Sequence, residues 1–281
     1  MNRLFCNNIV RRGFRLVATV GLALLGGLAG AMVPLNGLIG YWPGHGSAAD
    51  DSPTHNNGSF GGSYVPGGPG GSAFNLATGL VVISNNSAYN FTSYAGWTVG
   101  FWFNTNNIPV GGNGYTFLGQ DNGPGYQPKW FIDYGYTVFG PNSDFVWHVN
   151  DYNTERIFLN SDSVQPVPSG WNQLTVVTNN SAGTLSFYLN GKSIGTDSLP
   201  SYVLETNAPL IFGYAEPGLG YSGLMNNVVL YNRALTPGEV GELAAVPEPS
   251  GLSFMLAACG LLLPVPLLRR KRLGPTFLNR N

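Results

Sequence analysis

Asn190-Gly191 sits between two runs of alternating apolar and polar residues, and it constrains the fold more than any other feature of the chain. Both central positions of a two-residue hairpin turn need positive φ, which Asn and Gly accept at little cost. Before the turn, Leu185, Phe187 and Leu189 point one way, and Ser186 and Tyr188 the other. After it, Ser193 to Thr196 begins a return strand. Upstream, Asn179 to Gly183 reads as another turn, preceded by a β-rich run from Trp171 to Thr178. Leu174 and Val176 share one face of that run, Trp171 and Val177 the other. Three strands and two turns make a meander, expected in the middle of an antiparallel sheet. Composition agrees. With 40 Gly, 20 Pro, 13% aromatic and only 10% charged residues, the chain suits many short strands and Gly-rich turns. A disordered chain would carry fewer aromatics and more charge.

Further strands read out along the chain. Gly37 to Pro43 is a short apolar strand, followed by a polar loop from Gly44 to Gly62 and a Gly/Pro turn cluster from Tyr64 to Gly71. Ser72–Leu76 and Leu80–Ser84 read as strands joined by a turn at Gly79. In Trp97–Asn104, the residues Trp97, Val99, Phe101 and Phe103 share the face expected to fill a core, while Thr98, Gly100 and Trp102 take the other. Strands follow at Thr116–Gly119, Lys129–Tyr134, Phe145–Val149 and Leu210–Gly213. A closing element runs from Gly220 to Leu235. Thr236 as N-cap and Pro237 at the first helical position then predict one or two turns of helix. No repeat is visible, so a single domain is expected.

Both ends carry targeting patterns. Arg3, Arg11, Arg12 and Arg15 precede an uncharged run from Leu16 to Val33, and Ala29-Gly30-Ala31 offers a cleavage site, so residues 1–31 read as a signal peptide. The same run approaches the length of a retained anchor, and the Arg11-Arg12 pair leaves open a twin-arginine route. At the other end, Pro247-Glu248-Pro249 precedes an uncharged stretch, 251–268, and then Arg269-Arg270-Lys271-Arg272. An apolar run followed by a basic cluster reads as a membrane helix whose end stays cytoplasmic. Residues 273–281 form a short tail.

Between Met32 and Val246 the chain has thirteen acidic residues against four basic ones, a net charge near −9. So few cations argue against nucleic-acid binding. Cys6 and Cys259 both lie in the end segments, so disulfides, thiolate metal sites and cysteine catalysis are excluded from the middle. About 215 residues are enough for a hydrophobic core to hold the domain alone.

The motif Trp-x-x-Leu-x-Val-Val…Gly-x-Leu-x-Phe-Tyr-Leu-Asn-Gly-Lys-x-x-Gly, from Trp171 to Gly195, resembles the core hairpin of LamG-like jelly-roll domains, relatives of concanavalin A-type lectins. Gly37-Leu-Ile-Gly-Tyr-Trp with its following loop, Trp97–Trp102, and Gly223 to Leu235 resemble the opening, middle and closing motifs of that family. Leu76 departs from the family's Phe-x-Gly turn. The resemblance covers residues 37–245. It implies an all-β, two-sheet antiparallel jelly-roll sandwich, here flanked by an N-terminal signal helix and a C-terminal transmembrane sorting helix. It also implies calcium, with Asp50, Asn56 and Asn226 as candidate ligands. Calcium seeks six to eight oxygens, and the alternative is a solvated loop whose Asp and Asn side chains only make turns. The family's Asp-Glu pair is Asn226-Asn227 here, which removes charge from the site. The C-terminal segment, 246–272, resembles the PEP-CTERM sorting signal of Gram-negative bacteria, with Pro247, Glu248 and Pro249 as its motif. That implies a membrane stage, processing by an exosortase, and delivery to the cell surface or an extracellular polysaccharide matrix.

Aromatic rings suit the apolar C–H faces of sugars. Tyr126, Trp130, Tyr134 and Trp147 cluster in the middle third and are the candidate glycan-binding residues. The alternative places them in the core. His148 is expected to be structural. No Glu-x-Asp-x-x-Glu run and no Gly-x-Ser-x-Gly elbow appears, so an enzyme is not expected. Asp151 and Glu155 form an acidic pair in an expected loop. Two functions remain: a non-catalytic module binding glycan or polysaccharide, and a structural or adhesive envelope protein binding other proteins through strand edges.

Overall fold

The structure, a computed structural model, describes residues 33–107, 115–125, 127–135, 145–151, 154–159, 167–199, 202, 206–213 and 219–245, with backbone only at 151 and 154–159. The expected signal peptide (1–31), sorting signal (246–272, with its helix at 251–268) and tail (273–281), and Tyr126, lie outside these residues. Among the described residues no helix is long and apolar enough to cross a membrane.

Two antiparallel sheets make up the molecule. The strands are β1 (Leu38–Trp42), β2 (Gly58–Phe60), β3 (Ser63–Gly68), β4 (Gly71–Asn75), β5 (Val81–Ile83), β6 (Gly96–Asn104), β7 (Tyr115–Asp121) and β8 (Lys129–Tyr134). They continue as β9 (Phe145–Asp151), β10 (Thr154–Leu159), β11 (Trp171–Asn179), β12 (Thr184–Leu189), β13 (Lys192–Ser198), β14 (Leu210–Phe212) and β15 (Leu224–Tyr231), and helix α1 (Pro237–Ala244) follows. The first sheet has eight strands in the order β13-β12-β11-β6-β15-β4-β3, with β1 beside β15. The second has seven, in the order β10-β9-β8-β7-β14-β5-β2.

The two sheets bury their facing sides against each other. Trp97, Val99, Phe101 and Phe103 of β6 are fully buried, as the alternation predicts. Trp97 lies 5.9 Å from Trp130 and 5.2 Å from Trp147 across the gap, and Phe103 lies 4.8 Å from Phe117. Such aromatic contacts add to the burial that holds a cysteine-free domain together. A second, smaller cluster lies on the outer side of the eight-stranded sheet. There Leu235, Val240 and Leu243 of the C-terminal segment cover Leu38, Val177, Val229 and Tyr231.

The turn and cap expectations hold. Asn190 (φ 51) and Gly191 (φ 77) make the hairpin turn between β12 and β13. Thr236 caps α1 in a reciprocal capping box with Glu239, and Arg233 pairs with Glu239 at 2.6 Å. Other expectations change. The meander β11–β13 forms one flank of its sheet, with β13 at the edge. The Gly/Pro cluster holds most of the edge strand β3 and its turn into β4, and an edge strand tolerates the donor that Pro66 lacks. β4 and β5 belong to different sheets, so Gly79 marks a crossover and not a hairpin. Asp151 and Glu155 lie on paired strands β9 and β10, not in a loop.

Candidate functional site

Trp130 and Trp147 do not form a glycan platform. Both are fully buried between the sheets, with Trp130 opposite Val149 and Trp147 opposite Ile132 on the inward face. The Trp130 indole donates to Gln120 Oε1 at 2.9 Å, and Gln120 donates in turn to the Ala208 carbonyl at 2.8 Å. Tyr134 follows the same parity and packs half-buried on Phe145 and Phe117 at 5.0 and 6.4 Å. The reason is that β8 places aromatic or aliphatic residues on both faces, so its alternation does not mark the outside. The opposite face of β8 and β9 carries Lys129, Phe131, Asp133, Val146, His148 and Asn150, and it is closed too, every one being buried. His148 Nε2 lies 3.0 Å from Asn150 Oδ1 and its ring stands edge-on to Phe131, in keeping with a structural role. Lys129 pairs with Asp121 at 3.3 Å.

The residues expected to hold calcium are committed elsewhere. Asp50 is 2% exposed, and its Oδ1 accepts from the Tyr41 and Ser52 amides at 2.8 and 2.9 Å. Its Oδ2 accepts from Thr54 Oγ1 at 2.7 Å and the Asn56 amide at 2.8 Å. Four protein donors fill the lone pairs that a cation would need. Asn56 points its Nδ2 at the Ser84 carbonyl and the Tyr89 hydroxyl. Burial raises the pKa of Tyr89 to about 12, so that hydroxyl stays protonated. Asn226 donates from Nδ2 to the Pro69 and Ser72 carbonyls at 2.9 and 3.2 Å, and Asn227 donates to Pro69 at 2.8 Å. The amide N–H groups occupy carbonyls that a cation would otherwise use. With the Asp50 carboxylate filled by its own donors and Asn226 Oδ1 offering one neutral carbonyl, this donor set does not fit calcium. Among the described residues, no three of His, Cys, Asp and Glu gather into a metal-holding group.

A different surface collects half-exposed aromatics. On the outer face of the eight-stranded sheet, cross-strand pairing sets Tyr41, Val229, Gly100, Thr175 and Tyr188 in one row across β1, β15, β6, β11 and β12. Gly100 leaves a tight gap there: a Cβ would come within 3.1 to 3.3 Å of the Val229, Thr175 and Gln173 side chains, which would have to shift. The next row is Asn226, Trp102 and Gln173, and Trp171 follows on β11 opposite Asn104. Tyr41, Trp102, Trp171 and Tyr188 are all half-buried, each leaving part of its ring open to solvent. Burial, then the nearby Asp51 carboxylate, raises the Tyr41 pKa, so its hydroxyl remains a donor, to Asn227 Oδ1 at 3.1 Å. The Trp171 indole donates to the Gly67 carbonyl at 3.1 Å, which ties the β3–β4 turn to this face.

The middle row carries spare hydrogen-bonding capacity. Trp102 Nε1, Gln173 Oε1 and Asn226 Oδ1 are each buried without a hydrogen-bond partner among the described residues. Unpaired buried groups cost about 1–3 kcal/mol each, so three in neighbouring positions on three adjacent strands call for an explanation. The sequence did place Trp102 and Trp171 opposite the core-facing residues of their strands. It gave no sign that this outer parity, and not the middle third, holds the open aromatics, because no single strand shows the row.

Residues 77–241, more than half of the chain, match the laminin G type 3 family, described as the concanavalin A-like lectin/glucanases superfamily. The chain belongs to that superfamily. No curated protein matches it by sequence. Solved structures share the fold at low identity. The binding domain of Paraclostridial Mosquitocidal Protein 1 aligns with TM-score 0.57 and 19% identity, covering 74% of this chain and 52% of that one. Domain 4 of AbnA, a GH43 extracellular arabinanase from Geobacillus stearothermophilus solved with arabinotriose, aligns with TM-score 0.55 and 18% identity, covering 74% and 98%. The binding domain of botulinum neurotoxin DC in complex with SialylT aligns with TM-score 0.54 and 18% identity, covering 74% and 51%. The chain thus spans about half the length of the toxin domains, and all three likenesses concern the fold.

Proposed function

We propose that the protein is an exported, non-catalytic carbohydrate-binding module that holds polysaccharide at the surface, or in the extracellular matrix, of a Gram-negative cell. The observation that carries the reading is the outer face of the eight-stranded sheet. Half-exposed Trp102 and Trp171 lie beside Gln173 and Asn226, whose buried carbonyls lack partners among the described residues. Aromatic rings can stack on sugar C–H faces while amides pair with hydroxyls. Relatives in fold support the direction: one is solved with arabinotriose and another with SialylT. The address rests on the sequence at both ends, where an N-terminal signal peptide and the Pro247-Glu248-Pro249 sorting segment suit export, a membrane stage and an exosortase partner.

The full chain, purified in a zwitterionic detergent, would be tested against immobilised polysaccharides. Saturable binding to at least one is expected, lost in the Trp102→Ala, Trp171→Ala double variant. The second reading, an adhesive envelope protein, draws on the burial of Trp130 and Trp147 and on the position of β3 and β13 at the edges of their sheet, where a partner strand could add. Absence of binding to every polysaccharide would favour it.

A further inference from the structure

We propose that the face around Trp102 selects uncharged saccharides, with Gln173 and Asn226 as its specificity-determining residues; this rests on the carbohydrate-binding reading above. The open capacity of the row is two carbonyl acceptors flanking one indole donor. A sugar hydroxyl both donates and accepts, so neighbouring hydroxyls can satisfy all three atoms. A carboxylate or sulfate only accepts, and would meet Gln173 Oε1 and Asn226 Oδ1 lone pair against lone pair.

Charge points the same way. Recognition of an acidic sugar calls for a cation, usually arginine. Only Lys129, Arg156, Lys192 and Arg233 lie between Met32 and Val246. Lys129 belongs to the other sheet, paired with Asp121, and Arg156 lies on β10 of that same sheet. Both terminal nitrogens of Arg233 are held by Glu239. Lys192 begins β13, three strands from Trp102, roughly 14 Å away at the usual strand spacing. The charges near this face are the Asp51 carboxylate by Tyr41, and Glu239, Arg233 and Glu242 by Tyr231. With Arg233 and Glu239 paired, the other charges that these tyrosines sense among the described residues, Asp51 and Glu242, are acidic.

The three polar atoms are closed to solvent, and Trp102 is the one member of its row with a partly open side chain. Contact between a saccharide and the amides therefore requires the half-buried Trp102 side chain to move aside.

The test titrates the full chain with hexasaccharides of glucose, mannose, xylose and arabinose, with oligogalacturonate and oligomannuronate, and with sialyllactose, at low salt and at 0.5 M NaCl. At least one neutral oligosaccharide is expected to bind, with affinity independent of salt and at least 100-fold above any acidic one. Gln173→Leu, which also loses the amide bonds to Leu174 and Thr175, should still fold and weaken the neutral ligand about 10-fold, and Gln173→Lys should let a uronate bind. Should Gln173→Leu fail to fold, the salt dependence and the neutral-to-acidic ratio of the unaltered protein decide alone. Equal or tighter binding of a uronate or sialylated sugar would overturn the inference and leave the glycan reading standing. Binding of none would overturn both.

Discussion

At the scale of single residues, six tryptophans divide into two kinds with opposite expected behaviour. Trp42, Trp97, Trp130 and Trp147 are fully buried, while Trp102 and Trp171 are half-exposed on one outer face. Trp130→Ala removes a core ring and strands the Gln120 amide that it bonds, so it should cost about 3–5 kcal/mol in denaturant unfolding. Trp102→Ala should cost less stability than Trp130→Ala, because part of its ring is open, and weaken glycan binding about 3- to 10-fold, the worth of one stacking contact. The core tryptophan of β6 was legible, since Trp97 alternates with Val99, Phe101 and Phe103. Those of β8 and β9 were not. Trp130, Phe131 and Ile132 are consecutive, and a run that is apolar on both faces hides which side meets the core.

At the scale of elements, side-chain hydrogen bonds hold the loops and caps. Asp50 gathers four donors from its own loop and from β1. Asp50→Asn would set an amide N–H against some of those donors and should cost about 1.5–3 kcal/mol, read from chemical denaturation. A chelator should leave the melting temperature of the unaltered protein where it is. A drop restored by added calcium would contradict the closed-loop account. The helix α1 supplies a pH test. The bond from Arg233, aided by Thr236, lowers the Glu239 pKa from 4.5 to about 2. A lowered carboxyl pKa contributes stability that is present above 4.5 and lost as pH falls towards 2. Glu239→Gln should therefore narrow the stability difference between pH 6 and pH 2.5. The helix start was readable from Thr236 and Pro237, while the reciprocal bond to Glu239 came with the structure. Strands β2 and β3 were not readable, because β2 is only three residues long and Gly and Pro make up half of β3, so that only their partners β5 and β4 make them strands.

At the scale of the whole molecule, the chain passes between sheets repeatedly. β4 and β5 are neighbours in sequence and lie in different sheets, while β1 and β15 come from opposite ends of the domain and pair. Alternation within a strand says nothing of which sheet it joins, so the sandwich was legible through the family motifs and its strand order was not. The binding face is a product of that order: Asn226, Trp102 and Gln173 come from three distant segments and meet only because β15, β6 and β11 lie side by side. The most direct measurement is an NMR titration of the indole N–H resonances of the full chain with a bound neutral oligosaccharide. The Trp102 and Trp171 signals should move, and those of Trp42, Trp97, Trp130 and Trp147 should stay. Movement confined to the buried tryptophans, or no movement of Trp102 and Trp171 on saturation, would contradict a glycan site on the outer face of the eight-stranded sheet.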